Sequence, residues 1–111
     1  AVIPMANEVE FDIATANAAA YGWYFALMNE ITQANIRAGL SAETAKRISV
    51  ETLAAATKVS FASTQNSELI LESLATPGGI TAQGLKILQD SNALKPWGAA
   101  FDAVVHRLTD A

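Results

Sequence analysis

From Phe11 to Ala38 the chain contains no proline, and small or apolar residues recur at Ala14, Ala18, Tyr21, Phe25, Met28, Thr32 and Ile36. The interval is close to the 3.6-residue period of an amphipathic helix. The pattern predicts one long helix with a kink near Asn17. Gly39 then supplies a left-handed cap, and Leu40 is placed for the hydrophobic contact that accompanies such caps. Ser41 caps a second helix, which runs to about Ser63. Its first turn holds Glu43, a negative charge at the positive end of the helix dipole. Within it Ala45, Ile48, Thr52, Ala55, Ala56 and Val59 form a stripe, and Val50, Leu53 and Phe61 widen the apolar surface beyond one face.

Three shorter helices follow. One begins after Asn66 or Ser67, is expected to bury Ile70, Leu71 and Leu74, and ends at Thr76-Pro77-Gly78-Gly79. The next starts near Thr81, carries Leu85 and Leu88, and closes at Asp90-Ser91-Asn92, residue types that hydrogen-bond their own backbone in turns. In the last, Pro96 suits the first helical position. Trp97, Phe101, Val104, Val105 and Leu108 point inward there, with Asp102 and Arg107 left to water. The fold class is therefore all-α, about five helices with two of them long.

Helix length also bears on assembly. A helix of twenty-odd residues spans about 30 Å, whereas a compact domain of about 100 residues has a radius of gyration of only about 13 Å. Two such helices, apolar on more than one side, leave hydrophobic surface exposed in a monomer. An intertwined homodimer, or a higher oligomer built on it, hides that surface.

Composition sharpens this picture. Of the 111 residues, 51% are apolar and 16% charged, which is too hydrophobic for a disordered chain. Alanine, the strongest helix former, makes up roughly a fifth of the residues. Seven Lys and Arg residues scattered in a chain of net charge -4 form no basic stripe, so nucleic acid is not an expected partner. No apolar run reaches membrane-spanning length, and no targeting segment is visible. The absence of cysteine excludes disulfides and thiolate chemistry and fits the cytoplasm, the default compartment. The opening Ala1-Val2-Ile3-Pro4 reads like the end of a strand or linker entered midway. Residues 1–10 are accordingly taken as the end of a linker, and 11–111 as the helical domain.

The most informative segment for chemistry is Thr76-Pro77-Gly78-Gly79-Ile80-Thr81. Adjacent glycines before a helix can adopt left-handed conformations and turn several backbone N–H groups toward one point, where the helix dipole favours an anion. The Thr81 hydroxyl can cap the helix or hydrogen-bond the same anion. On spacing alone, a simple Pro-Gly turn with a threonine cap is the more economical account of the segment. It contains neither a dinucleotide fingerprint nor a P-loop.

Together with Gly84-Leu85 and Leu88, this segment resembles the signature of the pyrroline-5-carboxylate reductase family, most members of which carry Ser-Pro-Gly-Gly-Thr-Thr there. The resemblance extends back through Gly39-Leu40, Ala45, Thr52 and Ala55-Ala56 to the segment Glu10 to Ala16, and forward to Trp97 and Phe101-Asp102-Ala103. It implies a helical dimerisation domain of the 6-phosphogluconate dehydrogenase C-terminal type. The full-length enzyme would reduce 1-pyrroline-5-carboxylate to proline, with NADPH or NADH bound by an N-terminal nucleotide-binding domain, of whose linker residues 1–10 would be the end, and none by this chain. On the same resemblance Thr76, Gly78 and Gly79 shape a loop for a small carboxylate substrate, Ile80 offers only its backbone N–H, and Thr81 matches the threonine that hydrogen-bonds the substrate. No residue is assigned a catalytic role.

One stretch departs from the family. Where its members open the long helix with Ser-Gly-Ser-Gly-Pro-Ala-Tyr, this chain has Asn17-Ala18-Ala19-Ala20-Tyr21-Gly22-Trp23, with Trp23 at the tyrosine position. A larger or differently shaped pocket wall follows. That leaves two further readings: a reductase of another small cyclic imine or keto acid, and a helical interaction domain without turnover. Elsewhere, His106 reads as a cation at a helix end. Glu8, Glu10 and Asp12 read as a solvated linker rather than a metal site. Tyr21, Trp23, Tyr24 and Phe25 read as core and interface packing, Tyr21 and Trp23 also being candidates for ligand contact. Lys58 and Lys95 have no motif around them.

Overall fold

The computed structural model describes residues 7–110. Asn7 is extended, and its Oδ1 accepts a hydrogen bond from Glu10 N at 2.9 Å, which starts α1 (Glu8–Arg37) three residues ahead of Phe11. Residues 8–10, expected as linker, are thus the first turn of a helix. The remainder of that linker, residues 1–6, lies outside the described residues. The kink expected near Asn17 does not interrupt α1; the Asn17 amide donates to Ile13 O one turn back. The helix ends in a Schellman cap: Gly39 N donates to Ile36 O, Leu40 N donates to Asn35 O, and Gly39 takes φ +122°.

The other boundaries follow the same local chemistry. α2 (Ala42–Ala62) is capped by Ser41 Oγ, which accepts from Thr44 N, and α3 (Ser67–Leu74) by Asn66 Oδ1, which accepts from Leu69 N. α4 (Ile80–Asp90) finishes on a second Schellman cap in which Asn92, at φ +52°, takes the left-handed position and Ala93 N donates to Leu88 O. Asparagine serves there because its short polar side chain tolerates that conformation better than most. α5 (Lys95–Thr109) carries Pro96 at its second rather than first position, where the missing N–H is equally harmless.

α1 is the spine. α2 packs against it on one side and α5 on another, while α3 and α4 extend away with few contacts. Where α1 meets α2, Met28, Thr32 and Asn35 are half-buried, the first two on the expected stripe, whereas Tyr21 and Phe25 of the same stripe are exposed. Elsewhere along α1 it is Ala16 and Ala20 that are buried. Tyr21 and Phe25 pack on each other edge to face, 5.1 Å between ring centres, on the outside of the protomer. On α2 the buried line is Ala45 and Ser49, leaving Ile48, Val50, Val59 and Phe61 exposed. The expected burial of Ile70, Leu71 and Leu74 is not found within one protomer: Ile70 is half-buried, while Leu71 and Leu74 are 40% and 62% exposed, because α3 makes few contacts with the other described helices. The inward residues of α5 are half-buried throughout, with Asp102 and Arg107 exposed as expected.

Ser49 is a buried polar residue that the hydrophobic pattern passes over. Its hydroxyl donates to Ala45 O at 2.9 Å and accepts from Asn35 Nδ2 at 3.0 Å, linking α2 to α1. A buried polar atom deprived of its partner costs about 1–3 kcal/mol, and Asn35 is half-buried, so water recovers part of that. Ser49→Ala is expected to lower stability by about 1 kcal/mol, read as a reduced midpoint in thermal or urea melting. An unchanged midpoint would show that the pair contributes nothing to the α1–α2 register.

Among the described residues only Ala16, Ala20, Ala45 and Ser49 are buried, and no large side chain is fully enclosed. The radius of gyration, 16.7 Å, and longest extent, 47 Å, exceed those of a compact domain, for which about 13 Å is usual at 100 residues. No described helix is long and apolar enough to cross a membrane.

Candidate functional site

Thr76 to Gly79 form a tight turn closed by a 3.0 Å hydrogen bond from Gly79 N to Thr76 O. Pro77 fills the second position and Gly78, at φ +80°, the third, the residue preferences of a type II turn. Both glycines were candidates for left-handed backbone, but only Gly78 has it. Gly79 is extended, at φ −82°, and is glycine for a different reason: a Cβ there would lie 3.0 Å from Thr76 Oγ1 and 3.1 Å from Thr76 O. Thr76 and Gly79 therefore fit together face to face.

Gly79 is also the N-cap of α4 and has no side chain with which to cap it. Helix geometry leaves the first N–H groups of any helix without an intrahelical acceptor. Here these include Ile80, Thr81 and Ala82, whereas the Gly79 N–H is committed to the turn. Thr81 is the second residue of α4, so its hydroxyl is not the cap considered from the sequence. The first turns of α1, α2 and α3 each contain glutamate, but that of α4 has no acidic residue to offset the positive end of its dipole. Thr76, Gly78, Ile80 and Thr81 are all exposed, Ile80 to 89%, while Gly79 is half-buried. The arrangement can bind a small anion through backbone N–H groups with a hydroxyl beside them.

The sequence reading did not single out Lys86. It lines a shallow groove with Gly78, Gly79, Ala82 and Gln83, and its ammonium pairs with Asp90 Oδ2 at 2.7 Å on the exposed surface. The signal available was the helical spacing of Gly79, Ala82, Gln83 and Lys86, which places them on one face of α4. Trp23 lies elsewhere: with Ala26, Pro96, Trp97 and Ala100 it walls an apolar groove between α1 and α5, and Tyr24 stacks on Trp97 at 6.3 Å. This groove and the one beside the glycine turn share no lining residue. His106 pairs with Asp110 at the end of α5, 2.7 Å apart and exposed. Glu8, Glu10 and Asp12 sit in the first turns of α1, and among the described residues no cluster of three or more His, Asp or Glu is placed to hold a metal ion.

Gly78 offers a direct test of the turn. Space around it is open, so the cost of a side chain there is conformational alone, about 1–2 kcal/mol for a left-handed non-glycine residue. Gly78→Ala is expected to destabilise the chain by about that amount and Gly78→Asn by clearly less, as measured by urea unfolding of the two variants. Equal losses for both would contradict the left-handed turn.

An all-helical domain that leaves its apolar faces unclosed defines an association domain, here with one helix opening on an exposed glycine turn. Residues 8–110 match the family model described as pyrroline-5-carboxylate reductase dimerisation, and the chain belongs to that family. It is 33% identical over 88 residues to a Bacillus subtilis protein named pyrroline-5-carboxylate reductase 2, a match spanning 78% of this chain and 32% of the relative. Among solved structures it resembles a Plasmodium falciparum pyrroline carboxylate reductase with NADP bound. There the TM-score is 0.88 and the identity 25%, over 96% of this chain and 41% of that one. A Coxiella burnetii pyrroline-5-carboxylate reductase shares the fold with a TM-score of 0.85 at 23% identity, over 96% of this chain and 40% of that one. The chain thus spans about a third of the curated relative's length and about two fifths of each solved one.

Proposed function

We propose that this chain is the dimerisation and substrate-side domain of an NAD(P)H-dependent pyrroline-5-carboxylate reductase. The enzyme would convert 1-pyrroline-5-carboxylate to L-proline in proline biosynthesis, in the cytoplasm. The observation that carries the reading is the family match over residues 8–110, which takes in the exposed glycine turn at the start of α4. Thr76, Gly78, Gly79, Ile80 and Thr81 form the carboxylate site. Gly78 and Gly79 shape the turn, the N–H groups of Ile80 and Thr81 face the anion, and the Thr81 hydroxyl donates to it. Binding the carboxylate fixes the ring, so that its C=N bond is held in one orientation for reduction.

The reduced nicotinamide supplies the hydride for this chemistry. The described residues do not fit a dinucleotide: the glycine turn follows a helix rather than a strand and lacks the spacing of a pyrophosphate fingerprint. In this reading the cofactor belongs to a separate nucleotide-binding domain joined at the N-terminal end, in keeping with the share of its relatives that the chain spans. Isothermal titration of the chain with NADPH and with NADH is expected to show no saturable binding at millimolar cofactor. A clear isotherm would overturn this division of labour.

A homodimer is the expected assembly, from the family description and the unclosed apolar faces of the protomer. A second reading, a reductase of another small cyclic imine or keto acid, is favoured by one residue of the site. Ile80 places an exposed apolar side chain beside the turn where most members have threonine. Steady-state rates of the full-length enzyme on 1-pyrroline-5-carboxylate and on its six-membered-ring homologue decide between them. Preference for the five-membered ring supports the first reading, and preference for the larger ring the second.

A further inference from the structure

We draw no further inference here: the strongest candidate, the apolar groove between α1 and α5 walled by Trp23, Ala26, Pro96, Trp97 and Ala100, is an unpartnered surface, and nothing in the structure shows what covers it.

Discussion

Thr81→Ala in the full-length enzyme is expected to lower kcat/KM by about tenfold to a hundredfold, since a hydrogen bond to a charged group contributes about 1.5–3 kcal/mol. The same variant is expected to melt like the parent. This pairing of outcomes follows from the position of Thr81. Were it the N-cap of α4, its loss would cost about 1 kcal/mol of stability and leave the kinetics nearly unchanged. The cap is instead Gly79, and Thr81 is an exposed residue of the first turn, free to serve a ligand. Thr81→Ser, which keeps the hydroxyl, should retain most of the activity. A kinetically silent Thr81→Ala would remove this residue from the carboxylate site and leave only the backbone N–H groups to hold the substrate.

The helices were legible in the sequence because their signals are local. Ser41 and Gly39 act within one turn of where they stand, so their roles can be read without knowing what packs nearby. Asn92 is an intermediate case: a turn was expected there, but its left-handed conformation depends on the geometry of the preceding α4 turn. The inward face of α5 was legible too; what the sequence could not give was the buried line of α1 and of α2. The regular line through Tyr21 and Phe25 is the more hydrophobic one, yet the protomer buries Ala16 and Ala20. Close approach of two helix backbones selects small residues over large ones, and a hydrophobicity pattern ranks them the other way round. Ser49 was missed for a related reason. A serine in an alanine-rich helix looks solvent-facing until the Asn35 amide is found across the seam, donating to its hydroxyl oxygen.

The candidate site was half legible. Pro77-Gly78 announces a turn, and an adjoining helix start announces free N–H groups. The division of labour between the two glycines was hidden, because one is set by backbone conformation and the other by the approach of Thr76. Sequence cannot separate these causes, since both select glycine. Ile80 is the reverse case. Its identity was plain, but its almost complete exposure emerges only from the structure, where α4 makes few contacts with the other described helices.

Phe25→Glu is expected to abolish a dimer that the parent chain forms at micromolar concentration. Among the described residues, twenty large apolar side chains, Phe25, Tyr21, Leu27 and Ile31 included, are at least about a third exposed in the single protomer, and no large side chain is fully enclosed to offset them. Phe25 is 53% exposed and contacts Tyr21 on the same helix, so a charge at this position has little to disturb within one protomer. In a two-fold interface the substitution counts twice. Full burial of a phenylalanine contributes about 1.5–3 kcal/mol relative to exposure; with Phe25 53% exposed in the protomer, about half of that is gained at each copy, so the pair amounts to about 1.5–3 kcal/mol, or roughly one to two decades in dissociation constant. Desolvation of the introduced carboxylates adds to that loss. Sedimentation velocity across a concentration series, with circular dichroism on the same samples, separates the outcomes. The parent should sediment as a dimer, and the variant as a monomer of reduced helicity, because the faces it leaves open are those that hold the helices together. If the parent is itself a folded, stable monomer, the unclosed core cannot be a dimer interface. If the variant remains a dimer of unchanged affinity, the interface lies on faces other than the Tyr21 and Phe25 side of α1.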